Sequence, residues 1–192
     1  VENPQPIADI LENLKADPAL YVRKSVANNL NDIAKDHPQW VIQRVGQWDR
    51  SHAHTAWIVR HGCRTLIKQG HKDALKLFGF GAAPKVAATF TCTPENIRMG
   101  QSITLNANLR STAKTTQTLA VDYVLHYVRA GAATSQKVFK WTEIKLPTGE
   151  ALTLTKRQTF KDFTTRKHYP GVHRIELQVN GQRIAETAFE LI

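Results

Sequence analysis

With 192 residues, 26 Lys/Arg against 16 Asp/Glu and a formal charge of +10, the chain is a strongly basic protein with room for one or two domains. No apolar run long enough to span a membrane and no secretory pattern stands in it, so the expectation is a cytoplasmic protein without a membrane partner. Its two cysteines, Cys63 and Cys92, form neither a disulfide framework nor a metal-ligand spacing.

Residues 1–83 follow a helical period. Ile7–Lys15 reads as a short helix, and Asp17-Pro18 opens the next, with Pro in the first turn where a missing N–H costs little. Val22, Val26, Leu30 and Ile33 then recur at helical spacing as one apolar stripe, until His37-Pro38 stops the run. A third helix is predicted over Pro38–Gln47, a fourth over Thr55–Gln69 ending at Gly70, and a fifth over Lys72–Phe78 ending at Gly79. Cys63 lies on the apolar stripe of the fourth, as a small buried hydrophobe.

The stretch Gly79-Phe80-Gly81-Ala82-Ala83-Pro84 marks a boundary between residues 1–83 and 84–192. Beyond it the period changes to two. Val86–Thr91, Ser102–Leu109, Leu119–Val128, Lys137–Leu146, Leu152–Phe160, Val172–Val179 and Arg183–Glu190 alternate apolar with polar residues. Asn180-Gly181 is a two-residue hairpin turn. Short strands at this spacing predict an antiparallel sandwich of immunoglobulin type, with Tyr169 placed to make a tyrosine-corner hydrogen bond. The fold class is thus multidomain α + β: an α-solenoid of helix pairs followed by an all-β Ig-like sandwich.

The solenoid reading rests on an internal echo. Val22, Arg23, Lys35 and Asp36 recur 37 residues later as Val59, Arg60, Lys72 and Asp73. A helical pattern repeating at this length marks stacked helix pairs, and two units are fewer than such an array needs, so a longer solenoid is expected. Opposite the stripe, Lys24, Asn28, Asn31 and Lys35 share a helix face, and His61, Thr65, Lys68 and Lys72 occupy the matching face one unit later, flanked by Trp57 and Arg64. Such a row is either an ordinary solvated face or a phosphate-contacting one, since Lys and Arg release counterions and Asn donates to phosphates and base edges. Asn28, Asn29 and Asn31 are poor helix formers, which points to contacts or to a buried hydrogen-bond network. Trp57 is either a stacking surface or a wedge between repeats. Arg23 and Arg60 read as struts between repeats. Asp32 is the candidate catalytic carboxylate, as base or electrostatic stabiliser; Asp36, matched by Asp73, reads as a helix-end residue.

In the second half, Lys161–Tyr169 forms a connecting loop with Arg166 and Lys167 as candidate backbone contacts. The plain alternative is a solvated loop with Phe163 and Tyr169 turned inward. No phosphate-cradling Gly loop, metal cluster or Ser/His/Asp pattern is present, so no cofactor and no metal are expected.

The run Tyr21–Pro38, with Val26-Ala27-Asn28-Asn29-Leu30-Asn31-Asp32 at its centre, resembles the DNA alkylation repair family of HEAT-like glycosylases, in particular its AlkC branch; Trp57–Gly70 resembles the next element of that family. Some AlkC-type members carry a C-terminal Ig-like domain. The resemblance implies a monomeric enzyme that binds duplex DNA and hydrolyses the N-glycosidic bond of cationic alkylated bases such as N3-methyladenine. It also implies that this chain is the C-terminal portion, with part of the active site upstream. The alternative is a non-catalytic interaction module for protein or nucleic acid. The AlkD branch carries an aromatic residue and an Arg at the positions of Asn28 and Asn31, so its contacts do not transfer.

Overall fold

The computed structural model describes residues 2–81, 83–162 and 167–192, with Ala132 by its backbone alone. The chain divides into two compact units, Val1–Gly79 and Phe80–Ile192.

The first unit is helical: a 3-10 turn at Gln5–Ile7, then α1 (Ala8–Leu14), α2 (Leu20–Asp36), α3 (Pro38–Gly46), α4 (Ala53–Gly62), α5 (Arg64–Lys68) and α6 (Lys72–Leu77). An Asp17 Oδ1 bond from the Ala19 N–H (2.7 Å) sets the entry to α2. Pro38, without an N–H, ends it and starts α3. The buried face of α2 is Val26, Ala27, Leu30, Ile33 and Ala34, joined by Asn31. Leu30 is fully enclosed, and burying a side chain of that size stabilises by about 1.5–3 kcal/mol.

The single helix expected over Thr55–Gln69 is two helices, α4 and α5, broken at Cys63 (φ −88°, ψ 6°). Just before the break, α4 comes close to α2: a Cβ on Gly62 would lie 3.0 Å from Leu30 Cβ and 3.2 Å from Leu30 Cδ1. Gly62→Ala is therefore expected to destabilise the helical unit by about 1–3 kcal/mol through overpacking, offset by roughly 1 kcal/mol of helix propensity. Urea unfolding followed by far-UV circular dichroism checks it; an alanine variant more stable than the parent would mean that the two helices separate freely. α5 closes in a Schellman arrangement, His71 N–H to Leu66 C=O (2.9 Å) and Gly70 N–H to Ile67 C=O (3.0 Å), with Gly70 at φ +73°.

Among the described residues the second unit is a sandwich of eight strands: β1 (Val86–Thr93), β2 (Asn96–Ile97), β3 (Ser102–Ser111), β4 (Gln117–Val128), β5 (Thr134–Leu146), β6 (Ala151–Thr159), β7 (Gly171–Val179) and β8 (Gln182–Leu191). One sheet runs β1-β3-β6 and the other β2-β8-β7-β4-β5. Their pairings are antiparallel except β2 with β8. The inward rows of β4 (Leu119, Val121, Tyr123, Leu125, Tyr127) and β7 (Ile175, Leu177, Val179) face Ile103, Leu105 and Leu109 of β3 across the core. Tyr123 is stacked on Phe139 and sends its hydroxyl to Gln158 Oε1 at 2.6 Å, so its polar end is satisfied at the sheet edge.

Asn180 and Gly181 take positive φ (47° and 77°), as a type I′ hairpin requires. The buried Asn180 amide also accepts from Ala120 N–H (2.8 Å) and donates to the Gly81 carbonyl (3.0 Å). The tyrosine corner is not made among the described residues. It is the Tyr169 carbonyl, not its hydroxyl, that is engaged, 3.0 Å from His173 Nε2.

Candidate functional site

On α2, Lys24 and Asn28 stand one turn apart and exposed, and Asp32 and Lys35 continue the face as an ion pair (2.7 Å). Arg64, at the start of α5, reaches across: its Nη2 donates to Asn28 Oδ1 at 3.1 Å, and its Nη1 donates to the His61 carbonyl at 2.7 Å. The His61 ring lies flat on Trp57 (centroids 4.7 Å, 10° between planes), and the Arg23 guanidinium sits 5.9 Å from the Trp57 ring. Lys24, Asn28, Trp57, His61 and Arg64 thus form one patch in which a half-buried aromatic backs an exposed imidazole. Lys68 follows Arg64 by one helical turn and is half-buried.

Electrostatics in the patch favour an anion. Burial, then the charges of Arg64 and Lys24, hold the His61 imidazole below its ordinary pKa, so it is neutral at physiological pH and able to donate or accept one hydrogen bond. The Asp32 carboxyl lies below the usual carboxylate range, first through its hydrogen bond from Lys35 and then through Lys35 and Arg64 charge. It is an anion at neutral pH and a poor proton donor. Standing in water beside Lys35, it also lacks the dry surroundings that make a carboxylate a strong electrostatic stabiliser.

Asn31 departs from the expected exposed row. It is 4% exposed, and its Oδ1 accepts the Thr65 N–H at 3.3 Å. The buried face of α2 takes in Asn31 where the start of α5 meets it at Thr65. Arg23, read as a strut, donates Nη1 to the Pro18 carbonyl (2.7 Å), and Arg60 stacks on the Phe78 ring (4.8 Å). Arg166 lies outside the described residues; Lys167 is exposed on the sandwich unit, next to His168, whose N–H is held by Asp162 Oδ1 at 2.9 Å.

The sequence reading missed the outer face of the β1-β3-β6 sheet. There Thr104 pairs with Arg157, Asn106 with Thr155 and Asn108 with Thr153, and Arg110 stands opposite Ala151. These eight outward positions carry two guanidinium groups and no carboxylate. The signal was present in the polar half of each alternating strand, which a search for buried positions passes over. The cysteines offer no nucleophile: burial pushes the Cys63 thiol up to about 12 and that of Cys92 to about 11. Among the described residues no group of His, Cys, Asp and Glu is placed to hold a metal ion, and no helix is long and apolar enough to cross a membrane.

Residues 86–192 match the family described as "Uncharacterised protein YhaZ, C-terminal Ig-like domain". The chain belongs to this YhaZ family. It is 43% identical over 181 residues to the protein YhaZ of Bacillus subtilis (strain 168), a match covering 94% of this chain and 50% of that protein. Among solved structures it is similar to the Pseudomonas fluorescens alkylpurine DNA glycosylase AlkC bound to DNA containing an abasic site analog, with a TM-score of 0.94 and 46% identity. That likeness covers all of this chain and 54% of AlkC, so the chain spans about half the length of the relatives it matches. The chain is AlkC-like through both of its units, the helices that carry the basic patch and the Ig-like sandwich alike.

Proposed function

We propose that this chain is the duplex-gripping portion of a DNA glycosylase that hydrolyses the N-glycosidic bond of cationic alkylated bases such as N3-methyladenine. The observation that carries this reading is the likeness, over the full chain, to AlkC bound to DNA with an abasic site analog. A base already positively charged is a good leaving group. The protein's work is then to hold the backbone and stabilise the cationic sugar, which suits a surface of fixed donors. The helical unit is taken as the end of a HEAT-like solenoid, with Lys24, Asn28, Trp57, His61, Arg64 and Lys68 toward the duplex and Lys167 as a contact from the sandwich. Asp32, exposed and paired with Lys35, supplies only a weak electrostatic contribution in this reading.

Titration with an undamaged duplex and with one carrying an abasic-site mimic, across a salt series, tests the reading. Tighter binding to the mimic is expected, with log K falling by about 0.9 per neutralised phosphate for each tenfold rise in salt. Weak binding without preference and with a flat salt slope would overturn it in favour of an interaction module.

A further inference from the structure

Side chains from two helices meet at the break between α4 and α5. In an unbroken helix the Thr65 N–H would donate to the His61 carbonyl. Here Thr65 N–H donates instead to the buried Asn31 Oδ1 (3.3 Å), contributed by α2 from 34 residues away. The His61 carbonyl, without that bond, accepts Arg64 Nη1 (2.7 Å) alongside the Cys63 N–H, and Arg64 Nη2 reaches Asn28 Oδ1 (3.1 Å). The guanidinium is held at two points, and its remaining N–H groups can meet an outside acceptor, while its charge is felt by Asp32 and His61. No side chain of α5's own N-cap position supplies a capping bond, so Asn31 fills that role from the neighbouring helix.

We propose that Asn31 is a positioning residue for Arg64: by drawing away the Thr65 N–H it keeps the His61 carbonyl open to the guanidinium and fixes the fork that meets a phosphate. This deepens the duplex-gripping reading above and rests on it. Without the Asn31 acceptor, Thr65 N–H returns to His61, the helix closes through Cys63, and Arg64 loses one of its two anchors. Its long side chain then regains rotamer freedom that phosphate binding must remove.

The test is a double-mutant cycle on this chain, with Asn31→Leu, Arg64→Ala and the pair, measuring affinity for an undamaged duplex across a salt series below each variant's unfolding temperature. Arg64→Ala is expected to weaken binding by about tenfold or a little more, the low end of the worth of one charge-assisted contact, and to lower the salt slope by about one. Asn31→Leu should reproduce most of that loss, and the pair should be no weaker than Arg64→Ala alone. Losses that multiply, or an Asn31→Leu chain that binds like the parent, would overturn the inference. If Arg64→Ala itself binds like the parent, the duplex-facing assignment of Arg64 fails first, and the positioning of it fails with it. Should Asn31→Leu not fold, Arg64→Lys decides, because it keeps the charge and loses the fork: binding as weak as Arg64→Ala supports a held guanidinium, and parental binding overturns it.

Discussion

Phe160→Ala is expected to lower the stability of the β-sandwich by about 3–5 kcal/mol, a large share of the 5–15 kcal/mol that holds a domain of this size together. Phe160 is fully buried at the end of β6, with its ring 4.6 Å from Phe189, 5.5 Å from His168 and 5.9 Å from His173. Its backbone is pinned as well, N–H to the Gln101 carbonyl (2.9 Å) and carbonyl to the Gly100 N–H (2.6 Å). Such a site cannot collapse around a missing ring, and the cavity stays open. Urea unfolding followed through Trp141, the one tryptophan of the sandwich, measures the loss. Phe160→Leu, which keeps most of the volume, should cost about 1 kcal/mol. A loss below that for the alanine would mean that this end of the sandwich is loosely packed.

Lys161 and Lys167 are exposed on either side of buried groups: Phe160 before them and His168 after them. If Lys167 contacts the duplex as proposed, loosening the ring cluster beside it is expected to lower duplex affinity in a salt-series titration even where the sandwich remains folded.

Much of this architecture was legible because periodicity is a local property. The stripe Val26, Leu30, Ile33 and the alternation Val121, Tyr123, Leu125, Tyr127 each bury as their period dictates. What escaped was set by residues distant in sequence. The break at Cys63 depends on Asn31, so a helical pattern over Thr55–Gln69 has no reason to show it. The two residues of β2 are too few to carry a period, and their pairing with β8 joins chain segments far apart. Tyr169 precedes β7 as a corner tyrosine should, but the nearby His173 takes its carbonyl instead.

The patch was legible for a related reason. The 37-residue echo placed Lys24 and His61 at equivalent positions of neighbouring helices, and the structure brings His61 within the electrostatic reach of Lys24. Asn31 was misplaced because a helical wheel assigns faces from one helix alone. It sits at the margin of α2's stripe, where its partner, the Thr65 N–H, comes from a helix 34 residues away. The unusual density of Asn in mid-helix was the one local sign that a hydrogen-bond network lay beneath.

Acid is expected to destabilise the sandwich beginning near pH 6.5, well above carboxylate range, and His173 is the cause. Its side chain is fully buried, stacked on Phe189 (5.2 Å, 11°) and edge-on to Tyr127 (6.2 Å, 83°). Nε2 meets the Tyr169 carbonyl at 3.0 Å, an acceptor that favours the neutral tautomer with its proton there. Burial holds the imidazole below its ordinary pKa; the Tyr169 carbonyl pulls the other way, the charge of His168 adds to the lowering, and a bond with the His126 backbone opposes it. The unfolded chain therefore binds a proton that the folded chain refuses, at every pH from the ordinary histidine value of about 6.5 down to the depressed folded one. Stability is full above that window and falls as pH descends through it. Glu176 adds a second loss only at lower pH: its burial raises its pKa, but the His126 bond and the charges of His126, Arg174 and Arg183 outweigh that and set the carboxyl below its ordinary 4.5. His173→Phe separates the two, since the apolar ring keeps the stack and cannot take a proton. At pH 8 the variant should be less stable than the parent by about 1 kcal/mol, for the lost bond to the Tyr169 carbonyl. By pH 5 that deficit should have shrunk or reversed. Urea curves for parent and variant that stay parallel from pH 8 to 5 would place the acid sensitivity elsewhere.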